Sequence, residues 1–306
     1  MELPRHGITL NQIRYFVRTA ELGSMTKAAG EMYVAQSAVS TGIAQLETAL
    51  DCRLLVRWRS HGVGLTEHGR SFYQGALRIL SAVDDTLSSL APGRLTGTLH
   101  AGCFTTLTPF WLPEIYENLT TAHPDLAVSI REVAGEDVAP LLQRRDLEVI
   151  LTYGFDYGHD IDFEQLSEVE SYAAVSENHH LAHHDYVTLE DLAPEPLVML
   201  DLGKSANYFL SLFYNAHLKP WVHQRFDNYE VVRTMVARGH GYSLLNQRPV
   251  HNLSTDGRSV VPLPVIGVRS HLQIGVATLS GEALSSRAQV FVDECRRLFN
   301  QSSTDN

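Results

Sequence analysis

Residues 24–50 read SMTKAAGEMYVAQSAVSTGIAQLETAL, and the fold of the N-terminal part turns on them. Ser24 is an N-cap residue type ahead of an Ala-rich run, so Met25 to Met32 is expected as a short helix. Tyr33-Val34-Ala35 is then the tight connection of a helix-turn-helix. From Gln36 to Leu50 the apolar residues Val39, Ile43, Leu46 and Leu50 recur at helical spacing and mark the buried stripe of a second helix. Gln36, Ser37, Ser40 and Thr41 gather at its N-terminal end. They are short and polar, suited to hydrogen-bonding base edges and phosphates in a major groove. Ser24 and Thr26, opening the preceding helix, complete this set of candidate DNA contacts.

Outward from this stretch, Leu54-Leu55-Val56 and Val63-Gly64-Leu65 flank Arg57-Trp58-Arg59-Ser60-His61-Gly62, the pattern of a wing. Arg53, Arg57 and Arg59 are its candidate phosphate contacts. Upstream, Thr9 can cap a helix to about Leu22 with Leu10, Ile13, Phe16, Val17 and Ala20 buried, and Arg14 and Arg18 are expected as solvated surface arginines. Downstream, Thr66 can cap a long helix to about Leu90. Its residues Phe72, Ala76, Ile79, Val83, Leu87 and Leu90 approximate a coiled-coil seam, which calls for a second copy of the chain.

The strings GSMTKAAGEMYVAQSAVSTGIAQLE and LTEHG closely resemble the N-terminal domain of LysR-type transcriptional regulators. Two positions depart from that pattern: Ser37 stands where Pro is usual, and Thr41 lies where Arg is frequent. The resemblance implies an operator-binding winged helix-turn-helix at 1–66, a linker and dimerisation helix at 67–91, and an effector-binding domain at 92–306. It also implies a homodimer that assembles to a tetramer on two DNA sites.

The formal charge of -11 is divided along the chain. Residues 1–66 hold seven Lys/Arg against five Asp/Glu, and the remainder holds 17 against 30, so the acidic excess lies away from the expected DNA surface. No apolar run has the length of a membrane helix and no signal peptide is visible, so a cytoplasmic protein with no membrane partner is expected. Cys52, Cys103 and Cys295 are scattered without CxxC spacing. Some LysR-type proteins sense oxidants through a cysteine pair in the second regulatory subdomain, but Glu164 to Gly267 contains none. A thiol-responsive or metal-responsive regulator is kept as the alternative reading, along with a non-regulatory small-molecule binding protein.

Ala91-Pro92-Gly93-Arg94 reads as a hinge. Beyond it, strands at Leu99–Cys103, Leu126–Val133 and Leu147–Thr152 alternate with helices from Thr108 and from Asp137, the order of a parallel sheet. The first of these helices is expected to bury Leu112, Ile115, Tyr116 and Leu119. A similar unit follows from Phe163, with strands at Tyr172–Ser176, Leu197–Leu200 and Tyr242–Leu245 and helices capped by Ser205 and Asn228. Leu272–Ala277 and a helix through Phe291 return to the first unit, and Gln301 to Asn306 are expected to be disordered. The fold class is therefore α/β, with a two-lobed domain that resembles periplasmic binding proteins. Lobe I is taken as about 95–162 plus 268–300 and lobe II as about 163–267.

In open α/β sheets ligands bind beyond the carboxyl ends of the strands. Phe104, Thr105 and Thr106, Tyr153 and Gly154, and Gly203, Lys204 and Ser205 follow three such strands, and Asn228 and Asn246 add polar groups. Their chemistry favours an anionic effector, a carboxylate, with Tyr208 among the flanking aromatics. Neither cofactor nor metal is expected. The pairs His179/His183 and His180/His184 would align on a helix but read better as a surface loop, and no GxSxG, GxxxxGK[ST] or HExxH points to an enzyme.

Overall fold

The computed structural model describes residues 7–58, 62–89, 95–268 and 272–302. They fall into two compact units that meet in sequence at Gly97 and Thr98.

In the first unit, α1 (Leu10–Leu22) starts at a capping box. The Gln12 amide donates to Thr9 Oγ1 at 3.3 Å, and the Thr9 amide donates to Gln12 Oε1 at 2.8 Å. Helix α2 (Met25–Glu31) is capped by Ser24 and closes with paired bonds from the Tyr33 amide to Gly30 O (3.3 Å) and the Val34 amide to Ala29 O (3.0 Å). This termination sets Tyr33 at φ 55°. Helix α3 (Gln36–Ala49) buries Val39, Ile43 and Leu46 in one cluster with Ile13, Phe16 and Val17 of α1. Gly42 is required by that approach, because a Cβ there would stand 2.7 Å from Tyr15 Cδ2. The wing is the antiparallel pair β1 (Leu55–Trp58) and β2 (Gly62–Leu65), with Leu55 opposite Leu65 and Arg57 opposite Val63.

Helix α4 (Glu67–Ser89) begins at Thr66, whose Oγ1 accepts from the Gly69 amide at 2.9 Å. Its expected seam divides in two. Phe72 and Ala76 belong to the winged domain's own core, together with Tyr73, Leu77 and Leu80, and Phe72 meets Phe16 edge-on at 5.3 Å. Ile79 leaves that core and is 43% exposed. Leu87 is on the described helix but its side chain is not described, and Leu90 and the expected hinge at 91–94 lie outside the described residues. Arg18 is also not a lone surface cation: it pairs with Glu21 at 2.7 Å and with Glu31, tying α1 to α2.

The second unit runs β3 (Gly97–Phe104), α5 (Thr108–Ala122), β4 (Leu126–Val133), α6 (Val138–Gln143), β5 (Val149–Tyr153), β6 (Ile161–Val169) and β7 (Tyr172–Ser176). A 3-10 turn at His180–His183 follows, then α7 (Leu189–Leu192), β8 (Pro196–Leu200), α8 (Lys204–Asn215), β9 (Trp221–Phe226) and α9 (Tyr229–Ala237). The unit ends with β10 (Ser243–Leu245), β11 (Val260–Pro264), β12 (Leu272–Leu279) and α10 (Ser286–Ser302). Lobe I holds the sheet β4-β3-β5-β12-β6, and lobe II holds β10-β7-β11 and β8-β9.

Several expectations are corrected here. β3 and β5 are parallel as the alternation requires, but β12 runs antiparallel to β5 and β6, because the chain re-enters lobe I from lobe II. β6 pairs along β12, so Phe163 to Val169 belong to the first sheet and lobe II begins near Tyr172 rather than at 163. Tyr116 is 47% exposed, while Ile115 and Leu119 are buried. Gln301 continues α10. One apolar cluster joins the lobes, with Leu151, Ile274 and Phe291 of lobe I and Val198, Val232 and Leu245 of lobe II.

Candidate functional site

Two sets of residues carry the functional expectations, one in each unit. In the winged domain Gln36, Ser37 and Thr41 are exposed on the first turns of α3, Ser40 is half-buried beside them, and Thr26 is exposed on α2. Ser24 serves as the α2 cap. No side chain caps α3: Ala35 occupies that position, in contrast to Thr9 and Ser24 on the helices before it. Among the described residues the first amides of α3 thus have no capping side chain, the arrangement that takes up a phosphate oxygen at a helix N-terminus.

The base of the wing is set by a residue the sequence did not single out. Glu47 is 8% exposed and accepts from the Leu54 amide at 2.8 Å, from the Leu55 amide at 3.1 Å and from Arg53 Nη1 at 3.0 Å. A buried carboxylate with three donors joins α3 to the strand that leads into the wing. Arg53 remains 81% exposed on its outer side. Arg57 lies on β1 with its side chain not described, and Arg59 lies outside the described residues.

In the second unit the lobes meet through two groups of expected residues. In the first, Thr106 Oγ1 and Tyr153 Oη of lobe I are 3.0 Å apart, and Tyr153 Oη donates to Asn246 Oδ1 of lobe II at 3.1 Å. Thr106 and Asn246 are nearly buried and Tyr153 is fully so, and burial holds the Tyr153 phenol well above its usual range. The Asn246 amide nitrogen is buried with no described partner. Gln247 completes this side, its carbonyl accepting from Tyr172 Oη at 3.0 Å and Tyr229 Oη at 2.5 Å.

The second group surrounds Gly203, which adopts φ 57° as N-cap of α8. The Glu136 carboxylate of lobe I lies where a Cβ on Gly203 would stand and would have to swing aside for one, and the backbone there, at φ 57° and ψ -103°, is one that glycine adopts without strain. The Lys204 ammonium donates to the Asp156 carbonyl and lies 5.5 Å from the Tyr157 ring centroid. Ser205 is buried in the first turn of α8 and is not its cap, a correction to the expectation. Between the groups runs an aromatic row: Phe104 to Tyr153 at 5.0 Å, Tyr153 to Phe155 at 5.7 Å, and Phe155 across to Tyr208 at 6.5 Å.

Three expected residues serve the backbone instead. Thr105 Oγ1 donates to Val133 O at 3.3 Å, the Gly154 amide donates to Gln273 O at 2.9 Å, and Asn228 Oδ1 caps α9 from an exposed position. Phe155, Tyr157 and Glu136 were missed, although aromatics at 153, 155 and 157 alternate at strand period beyond β5. A surface groove lined by Val231, Met235, Arg238 and Asp256 contains none of the expected effector residues.

The histidine pairs that a helix would align do not form: 180–183 is a 3-10 turn, in keeping with the loop preferred for this stretch. His179 and His180 instead converge on Glu195, at 3.6 and 2.9 Å, a trio close enough to hold a metal ion. His179 Nδ1 accepts from the Leu181 amide at 3.2 Å, which leaves the proton of a neutral imidazole on Nε2, facing the carboxylate. That tautomer suits a hydrogen bond better than a ligand bond. Cys103 and Cys295 are fully buried; burial pushes the Cys103 thiol up to about 12 and the Cys295 thiol well above its usual value. Neither has the thiolate character a redox sensor uses. Among the described residues no helix is long and apolar enough to cross a membrane.

Residues 10–70 match the family model described as bacterial regulatory helix-turn-helix protein, lysR family, and residues 92–300 match the LysR substrate binding domain. The uncharacterized HTH-type transcriptional regulator YvbU of Bacillus subtilis is 26% identical over 297 residues, covering 95% of this chain and 99% of its own. The DNA-binding transcriptional dual regulator OxyR of Escherichia coli is 27% identical over 293 residues, covering 94% of this chain and 95% of its own. The solved structure of HinK, a LysR family transcriptional regulator from Pseudomonas aeruginosa, superposes with a TM-score of 0.64 at 30% identity, covering 96% of this chain and 99% of that one.

Proposed function

Because this chain belongs to the LysR family of DNA-binding transcriptional regulators with an effector-binding domain, we infer that its effector is held between the two lobes by Thr106, Tyr153 and Asn246. The observation that carries this reading is the buried Asn246 amide nitrogen, a donor without a described partner at the point where both lobes contribute hydroxyl and amide groups. Such a donor fits an acceptor oxygen, and a carboxylate is the strongest acceptor class. The Gly203 and Lys204 end is less suited to an anion, since Glu136 already brings a carboxylate there and the Lys204 ammonium has an acceptor. Phe104, Phe155 and Tyr208 then flank the effector's apolar body. We read the domain as binding without turnover.

Family members bind DNA operators and oligomerise; for this chain we place the DNA face on α2, α3 and the wing, and dimerisation on α4, where Ile79 is left exposed. The remaining candidates, Arg57 and Arg59 among them, keep their role as proposed phosphate contacts. Effector binding that favours one lobe arrangement would change DNA affinity through a coupling free energy. A thermal-shift screen of carboxylates, amino acids and aromatic acids should find the effector. Calorimetry on Thr106→Val should then show binding weakened by ~0.5–1.5 kcal/mol, the net worth of one hydrogen bond. Unchanged affinity for this variant would move the site elsewhere.

A further inference from the structure

Tyr33 stands out in the connection between α2 and α3. It is 96% exposed, and it occupies the left-handed position that ends α2, at φ 55°. Glycine or asparagine is the residue type that this position favours, because a Cβ and a ring bring only strain there. Other helices of the protein end in the same way without glycine, but with different side chains. Asp51 and His217 are residue types enriched in that conformation, and Arg145 is held by Glu282. At Tyr33 the fold gains no packing from the aromatic ring that the conformation disfavours.

Its position supplies the use. Tyr33 lies three residues ahead of Gln36, at the entry to α3. In a helix-turn-helix the first residues of the second helix reach base edges while the first helix crosses the backbone, so the connection between them passes from backbone to groove. The stretch from Ala28 to Cys52 contains no lysine or arginine, so α3 and its approach offer the backbone no cation. A phenol is one of the neutral side chains that donate to phosphate oxygens.

We propose that Tyr33 is a backbone-positioning residue of the DNA interface, its hydroxyl donating to a phosphate beside the groove that α3 enters. This rests on the DNA-binding reading of the winged domain. Being neutral, the contact adds affinity without releasing a counterion, so it fixes the register of α3 while leaving the salt dependence of binding untouched.

The test uses the full chain and a duplex that the wild-type protein itself enriches from a randomised pool, with an unselected duplex of equal length beside it. Tyr33→Phe removes the hydroxyl and keeps ring and backbone. Tyr33→Gly removes both, carries no side-chain donor of its own and suits the left-handed conformation. Both variants should lose about fivefold in affinity, equally on the two duplexes, with the slope of log affinity against log salt unchanged. Tyr33→Gly should melt no lower than wild type, whereas a residue kept for stability would lower the melting temperature when replaced. Wild-type affinity in Tyr33→Phe, a loss confined to the selected duplex, or a shallower salt slope would each overturn the proposal. Failure of the wild-type chain to enrich or bind any duplex would instead overturn the DNA-binding reading on which it stands.

Discussion

Glu47 shows how one buried side chain can hold a functional surface in place. Its carboxylate accepts from two successive amides at the start of the wing, so Glu47→Ala should leave two nearly buried donors without acceptors and destabilise the winged domain by about 2 kcal/mol in urea unfolding. Glu47→Gln, which keeps one acceptor oxygen, should cost clearly less. His179 offers a second residue-scale expectation. Burial, then the neighbouring His180, hold its imidazole below the ordinary 6.5, against the opposing pull of Glu195. The folded state therefore favours the neutral ring. As pH falls through 6.5 the unfolded chain takes up the proton first, so this group's stabilisation is complete above that pH and declines as pH falls towards the folded-state value. The drop in unfolding free energy between pH 7.5 and pH 5.5 should shrink in His179→Gln; an unchanged drop would show that other histidines carry it.

At the scale of elements, α4 packs on its own domain in its first turns and is proposed to dimerise through a later one. Its first turn packs against the wing base so closely that a Cβ on Gly69 would lie 2.0 Å from Leu54 O. Gly69→Ala should force helix and wing apart and cost about 2 kcal/mol, seen as a lower melting temperature. Later in the helix Ile79 has left the domain's own core, so Ile79→Asp should spare the fold and break dimers. Light scattering on that variant settles the point: undiminished mass would mean that α4 is not the interface. The helical stripe was legible in the sequence, but not its division. Spacing alone cannot tell whether an apolar position faces its own domain or a second copy, since both bury the same side chains.

For the whole molecule, the acidic excess outside residues 1–66 and the few cations within them lead us to expect that DNA affinity depends on assembly. If binding requires two winged domains, the salt slope of the monomeric Ile79→Asp variant should be about half that of the wild type. Local pattern in the sequence by itself determined the winged helix-turn-helix, most of the strands and helices of the second unit in their order, and the caps Thr9, Ser24, Thr66 and Asn228. Those features depend on near neighbours: the Thr9 and Asn228 caps, the stripe of α3, and the buried run of β5 are each set within one or two turns or along one strand. Tertiary structure decided what depends on distant pairing. β6 is too exposed and polar to stand out and becomes a strand of lobe I only because β12 returns beside it. Glu136 meets Gly203, Glu47 meets Leu54 and Phe155 meets Tyr208 only after folding, so the two groups at the lobe boundary could not be assembled from spacing. Thr106, Tyr153 and Asn246 were named one by one from strand ends, a local signal, whereas their hydrogen-bonded convergence comes from the packing of one lobe on the other.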